Sequence, residues 1–363
     1  MMMNNLPELM KFYKGKKVFV TGDTGFKGTW LCKLLTMAQA EVTGYALPPA
    51  SKEMADVFRW SGVAGRIRHI DGDVRDYTAL KNAFETAAPE IVFHLAAQSL
   101  VLKSYENPLE TYAVNVMGTA NLLECARHSE SVRSLLNVTT DKVYENNEWC
   151  WGYRETDVLN GYDPYSNSKS CSELVTSSYR KSFLHPAGIA VSTARAGNVI
   201  GGGDFAENRI IPDCIRAVTS GKEIAIRSPH SVRPYQHVLE PLSAYLLLAA
   251  RQMDNLELSG CYNIGPDDTD CTTTEKLVQL FCRAWGYGAT WRCINAVQPH
   301  EANFLKLDCS RIKAVLGWQP HWHIEEAVQH TVAWAKAYYA GDNIAGLMED
   351  QIREFGFGEV DRI

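Results

Sequence analysis

Between residues 17 and 193, short apolar runs alternate with helix-patterned segments, and no other feature narrows the fold so far. Runs at 17–21, 41–45, 67–70, 91–95, 134–138 and 189–193 read as strands. The segments at 28–38, 77–88, 109–127 and 169–183 carry helical patterning, and Pro89 and Pro186 stop two of them. Strand and helix in alternation build βαβ units, whose parallel strands are buried on both faces. The expected class is therefore α/β, with a doubly wound parallel sheet.

After residue 198 the rhythm breaks. Gly201-Gly202-Gly203 forms a loop, and Pro212, Pro229, Pro234, Pro241, Pro266, Pro299 and Pro320 punctuate the remainder. This half is expected to form a smaller α/β lobe on the carboxyl edge of the sheet. In an open parallel sheet the ligand crevice lies beyond the carboxyl ends of the strands. A chain of 363 residues, 46% apolar, has the length for both parts.

Composition excludes several roles. A net charge of −6 argues against a protein that holds nucleic acid or an anionic membrane. The longest apolar run, at 244–250, is too short to span a bilayer, and residues 1–17 are polar without a signal-like apolar core. Cys32, Cys125, Cys150, Cys171 and Cys214 are scattered, and no CxxC pair occurs, so thiols rather than disulfides are expected. Together these place the chain in the cytoplasm.

The first strand runs into Thr21-Gly22-Asp23-Thr24-Gly25-Phe26-Lys27-Gly28, which opens the first helix. Glycines let backbone turn tightly and approach a pyrophosphate, and a helix N-terminus offers that anion free N–H groups. The spacing is GxxGxxG. Asp73 and Val74 follow the third strand, and Ala96-Ala97-Gln98 follows the fourth. Further on, Tyr165 and Lys169 stand at i and i+4, one turn apart on a helix face. A phenol near pKa 10 is a poor base at neutral pH. A nearby ammonium is expected to lower that value and let Tyr165 take a proton from a hydroxyl.

These motifs, with Asn115 in the helix after the fourth strand, resemble the extended short-chain dehydrogenase/reductase family, and the resemblance covers nearly the whole chain. It implies a Rossmann-type fold, with residues 15–198 as an NAD-binding domain to which 233–262 returns. Residues 199–232 and 263–345 then form a nucleotide-sugar-binding lobe. It also implies NAD contacts at Gly22, Thr24, Gly25, Phe26, Lys27, Gly28, Asp73, Val74, Ala96, Ala97, Gln98, Asn115, Tyr165 and Lys169. The acid that usually binds the adenosine ribose after the second strand is missing, since Ala46-Leu47-Pro48 stands there.

The segment Thr139-Thr140-Asp141-Lys142 ends the fifth strand. It resembles the nucleotide-sugar 4,6-dehydratases, which commonly carry Thr-Asp-Glu, and within them the Thr-Asp-Lys variant of the CDP-glucose branch. Asp141 and Lys142 adjoin at a strand end, where side chains diverge, so they are expected not to pair with each other. The resemblance implies an oxidation, elimination and re-reduction. Tyr165 and Lys169 serve the oxidation at C4, Thr140 binds the 4-oxygen, and Asp141 protonates the departing 6-hydroxyl. Lys142 either takes the C5 proton or stabilises the enolate while another group takes it. Gln98, Asn198, Arg209, Arg233 and His237 match substrate-binding positions. His321 and His323 flank Trp322 and read as structural, and no histidine or cysteine spacing suits a metal.

Two rival readings remain. A 4-epimerase shares the fold but needs no elimination, so Asp141-Lys142 counts against it. A non-catalytic NAD-binding regulator has no use for Tyr165 and Lys169. The family also implies a homodimer or homotetramer, with the helices at 109–127 and 169–183 pairing across a two-fold axis.

Overall fold

A computed structural model describes residues 6–294 and 304–357. Pro299 and the stretch 295–303 of the expected lobe lie outside the described residues, as do residues 1–5.

The chain begins with α1 (Leu6–Tyr13), β1 (Lys17–Thr21), α2 (Phe26–Met37), β2 (Glu41–Ala46) and α3 (Lys52–Trp60). It continues through β3 (Arg68–Asp71), α4 (Tyr77–Ala87) and β4 (Ile91–His94). Helices α5 (Val101–Glu106) and α6 (Pro108–Tyr112) lead through a π turn (Ala113–Met117) into α7 (Gly118–Arg127) and β5 (Ser134–Val138). Then come α8 (Pro164–Tyr179), a second π turn (Arg180–Leu184) and β6 (Ala190–Ala196).

The main sheet has seven strands in the order β11-β6-β5-β4-β1-β2-β3, where β11 is Cys261–Ile264. Every pairing in it is parallel. Strands β4, β5 and β6 are buried at every position, as strands covered on both faces must be. One face packs Phe19, Leu80, Leu122 and Val191 under α4 and α7. The other packs Val20, Leu31, Phe93 and Leu246 under α2 and α10 (Leu239–Asp254). The strand order reverses between β1 and β4, and a crevice opens there.

A separate apolar cluster gathers elements from the second half of the chain. Strand β8 (Ile224–Ile226) pairs in parallel with β13 (Trp291–Cys293). Helices α9 (Ile210–Thr219), α11 (Thr274–Trp285) and α13 (Ile324–Ala340) pack around Ile215, Ile224, Phe281 and Val328. Of the short strands, β7 (Val199–Ile200) pairs in parallel with β10 (Gln236–His237), and β9 (Val232–Arg233) pairs antiparallel with β12 (Thr272–Thr273), in two separate two-stranded sheets.

Three local expectations change. Residues 6–13, read as merely polar, form a packed helix: Leu6, Leu9 and Tyr13 are buried, and Tyr13 Oη donates to Leu246 O at 2.8 Å. The helix expected over 109–127 is two helices joined by the π turn. The helix expected from 169 starts at Pro164 instead, because the Asp163 carboxylate caps it by accepting from Ser166 N at 2.9 Å and proline suits its first turn. Tyr165 therefore sits in the first turn, on the same helix as Lys169, as the i and i+4 spacing led one to expect.

Candidate active site

Beyond the carboxyl ends of β1, β4, β5 and β6 lies a cleft of about 1210 Å³. That exceeds the usual volume of a small-ligand pocket, up to about 1,000 Å³. Gly22, Thr24, Gly25, Phe26, Lys27 and Gly28 line it from the first loop. Gly22 has φ +78°, and a Cβ there would fall 2.8 Å from Ala96 N. A Cβ on Gly28 would fall 2.0 Å from Gly22 O. Both glycines are thus required for the loop to fold onto the end of β4. Gly25 caps α2 without a side-chain hydrogen bond, which leaves the helix N–H groups facing the cleft. The cradle suits a pyrophosphate.

Asp73, Val74, Ala96 and Ala97 extend the wall. The Asp73 carboxylate is held by Arg75, whose Nη2 lies 2.5 Å away. Ala46, Leu47 and Pro48 also line the cleft and bring no charge to it. Gln98 and Asn115, expected at the ligands, are turned inward. Gln98 Nε2 donates to Thr111 Oγ1 at 2.9 Å and its Oε1 accepts from Leu100 N at 2.7 Å. Asn115 Oδ1 accepts from Gln98 N at 2.9 Å, and its Nδ2 donates to Ser168 Oγ at 2.8 Å. These two residues shape the β4 loop and tie it to α8.

Thr140, Lys142, Tyr165 and Lys169 line the same cleft. Asp141 is fully buried behind Thr140, in a tight turn (Asp141–Val143). Thr140 Oγ1 donates to Asp141 Oδ1 at 2.9 Å, and Asn198 Nδ2 donates to Asp141 Oδ2 at 3.2 Å. Lys142 Nζ lies 3.6 Å from Asp141 Oδ1. The expectation that Asp141 and Lys142 diverge is therefore corrected. The chain has left the strand and entered the turn, which swings both side chains to one side. Room for the carboxylate depends on Gly197, where a Cβ would fall 1.9 Å from Asp141 Oδ2.

The electrostatics of Tyr165 and Lys169 also differ from expectation. Burial pushes the Tyr165 phenol up to about 12, against a hydrogen bond with Thr140 and the Arg209 charge, which pull it down. Lys169 Nζ is turned to Val138 O, to which it donates at 3.1 Å. Burial pulls Lys169 down to about 8, while the charge of Glu173 opposes this. In the chain by itself, desolvation outweighs the stabilisation of the phenolate.

Glu173 was not foreseen. It accepts from Thr139 Oγ1 and Thr193 Oγ1, each at 2.6 Å, and from Arg195 Nη2 at 3.0 Å. Both members of the Glu173–Arg195 pair are buried. Tyr165, Lys169 and Glu173 recur every four residues, so the spacing that finds the first pair also points to the third.

On the lobe side, Asn198, Arg209 and Arg233 line the cleft as expected. Arg209 Nη1 donates to Asp204 Oδ2 at 3.1 Å, and Asn198 adopts φ +44°. Arg227 joins them and had no signal in the sequence. His237 is corrected: it is fully buried, away from the cleft lining, with its ring 4.8 Å from that of Trp322. Burial holds it well below its ordinary pKa, as suits a neutral ring packed among aromatics. His323 caps α13 and lies 2.8 Å from Asp270 Oδ2.

Residues 19–331 match the family model described as GDP-mannose 4,6 dehydratase. A CDP-glucose 4,6-dehydratase of Salmonella typhimurium is 46% identical over 95% of this chain and 97% of its own length. A probable dTDP-glucose 4,6-dehydratase of Sinorhizobium fredii is 26% identical over 88% of this chain and 92% of its own. Among solved structures, the dTDP-glucose 4,6-dehydratase DesIV of Streptomyces venezuelae, with NAD bound, aligns at TM-score 0.76 and 23% identity, covering 90% and 98% of the two chains. A UDP-glucose 4-epimerase of Thermotoga maritima aligns equally well, at TM-score 0.76 and 23% identity over 89% and 99%. Backbone likeness therefore does not separate elimination from epimerisation, whereas sequence likeness does. The chain belongs to the nucleotide-sugar 4,6-dehydratases, the family that the GDP-mannose 4,6 dehydratase model describes.

Proposed function

We propose that this chain converts CDP-D-glucose to CDP-4-keto-6-deoxy-D-glucose and water, in the cytoplasm, for deoxysugars of the O-antigen of lipopolysaccharide. One observation carries the reading. Thr140, Lys142, Tyr165 and Lys169 share a single cleft with the glycine cradle, and the Asp141 carboxylate stands directly behind Thr140. The 46% identity to the Salmonella dehydratase supports the choice of CDP-glucose.

NAD would be held by the cradle of Gly22, Gly25 and Gly28 and would supply reversible hydride transfer to the sugar, together with a positive charge that favours the Tyr165 phenolate. Tyr165 takes the proton of the 4-hydroxyl, and Lys169, from one turn along α8, binds the nearby ribose. Thr140 hydrogen-bonds the 4-oxygen. Asp141 supplies the proton for the departing 6-hydroxyl, with the Thr140 hydroxyl between its Oδ1 and the cleft. Arg209 and Arg233 neutralise the diphosphate, and Asn198 joins that site to Asp141.

A homo-oligomer built on two helices accompanies this reading. Leu109 is 85% exposed and Leu174 is 58% exposed, and both stand on the helices whose outer faces lie beside each other. Met117 and Phe183 add further exposed apolar surface on the same pair.

The deciding experiment incubates the enzyme and NAD with CDP-, dTDP-, UDP- and GDP-glucose. A 4-keto-6-deoxy product develops a near-ultraviolet chromophore in alkali, and CDP-glucose should give it fastest. An epimerised sugar without chromophore would replace this reading by the epimerase, and bound NAD without any turnover would replace it by the regulator.

A further inference from the structure

The loop that cradles the pyrophosphate carries a carboxylate in its middle. Asp23 stands between Gly22 and Thr24, both of which line the cleft, and is itself fully buried. Its backbone is held by Thr29, whose Oγ1 donates to Asp23 O at 3.3 Å. Its side chain lies against β2, where a Cβ on Gly44 would fall 2.2 Å from Asp23 Oδ2. Oδ2 meets His69 Nδ1 at 2.7 Å, and Oδ1 is buried without a hydrogen-bond partner among the described residues. A buried anion inside a phosphate cradle repels the ligand unless a counter-charge accompanies it.

His69 on β3 supplies that counter-charge. Its side chain is 21% exposed, so it exchanges protons with solvent, and its Nε2 lies 3.1 Å from Oδ1 of Asp71 on the same strand. Gly44, its register partner on β2, brings no side chain, and the Phe58 ring of α3 packs against it at 5.6 Å. From α2 the Cys32 thiol feels the Asp23 charge, but burial raises it well above its ordinary value and it stays neutral. Burial lowers the His69 value, the Asp23 charge and hydrogen bond raise it more, and the net shift is upward. Burial raises Asp23 as well, with His69 opposing. Both shifts favour the state in which the two groups hold one proton between them and are neutral overall.

We propose that His69 is a positioning residue of the cofactor site: with one proton held between His69 and Asp23 the glycine loop accepts the NAD pyrophosphate, and loss of that proton leaves a buried anion in the cradle that weakens NAD binding. The inference rests on the reading of the cradle as the NAD site. Binding and protonation are reciprocal, so a proton that favours NAD is itself held more tightly once NAD is bound. NAD affinity should therefore fall as pH rises through the His69 value. Lys27 and Lys169 titrate in the same range, at about 7 and about 8, so the pair is read in the pH dependence that its variants remove.

Calorimetric titration with NAD, at pH 6 and pH 9, tests this on the full chain freed of cofactor, as the wild type, His69→Gln, Asp23→Asn and the double variant. His69→Gln keeps a hydrogen-bond donor for Asp23 and loses the charge. It should bind NAD about tenfold more weakly than the wild type at pH 6 and about as well as the wild type at pH 9. Adding Asp23→Asn removes the anion and should restore the wild-type affinity at pH 6, a rescue that a purely structural role for His69 would not give. In buffers of different ionisation enthalpy, the wild type should take up more protons on binding NAD near pH 7 than Asp23→Asn does. Thermal melts establish that each variant is folded, and if Asp23→Asn is not, the His69→Gln comparison at the two pH values decides by itself. A His69→Gln variant that matches the wild type at pH 6, or a folded double variant no tighter than His69→Gln, would overturn the proposal. A wild type that binds no NAD at either pH would instead refute the cofactor reading on which it rests.

Discussion

Asn198 Nδ2 donates to Asp141 Oδ2 at 3.2 Å, so a residue that lines the cleft together with Arg209 and Arg233 holds the carboxylate proposed for elimination. Thr140 and Lys142 engage the other oxygen. The acid is thereby fixed in one orientation, buried, with a single hydroxyl between it and the cleft. Substrate seated against Arg209 and Arg233 would bear on the geometry of Asp141 through Asn198.

Replacing Asp141 by Asn keeps the shape and removes the proton. The first oxidation should proceed and loss of water should stall, with product formation falling about a hundredfold or more. Stopped-flow absorbance should show reduced cofactor accumulating on the enzyme. Product at the normal rate would remove Asp141 from the mechanism.

Tyr165→Phe removes the group placed at the 4-hydroxyl. Because the phenol is buried at the cleft wall, the ring should stay packed and the fold intact. Turnover should drop about a hundredfold or more, with no transient of reduced cofactor. A variant that keeps one third of wild-type turnover would contradict the assignment.

The Glu173–Arg195 pair anchors α8 to β6, and both partners shift as a pair should, Glu173 below and Arg195 above its ordinary value. Glu173→Leu leaves the Arg195 charge buried alone, at a cost of about 3–5 kcal/mol. Glu173's folded-state value lies below the unfolded one, about 4.3. Its contribution to stability is therefore complete above that pH and is lost as pH falls through the folded value. Denaturant melts should show the wild-type advantage over Glu173→Leu at pH 7 and its decline below about pH 4.

Leu174→Glu places a charge on the exposed two-helix face. Sedimentation of the parent at micromolar concentration should give at least twice 40.5 kDa, and the variant should shift toward that single-chain mass. A parent that sediments only as a single chain would refute the assembly.

The strand–helix alternation alone determined the parallel sheet, because burial on both faces forces apolar runs that stand out in any sequence. The glycine loop, Tyr165 with Lys169, and Thr140 to Lys142 were legible for the same reason: each is a local pattern set by the helix or strand that carries it. Tertiary structure decided the rest. Whether Asp141 and Lys142 meet depends on a turn that local spacing does not encode. Gln98, Asn115 and His237 are polar residues at positions that look ligand-facing, yet packing against Thr111, Ser168 and Trp322 turns them inward. Glu173 acquires its chemistry from a charge more than twenty residues away in sequence, that of Arg195. An electrostatic environment is a property of three-dimensional distance and burial, and only the folded chain supplies both.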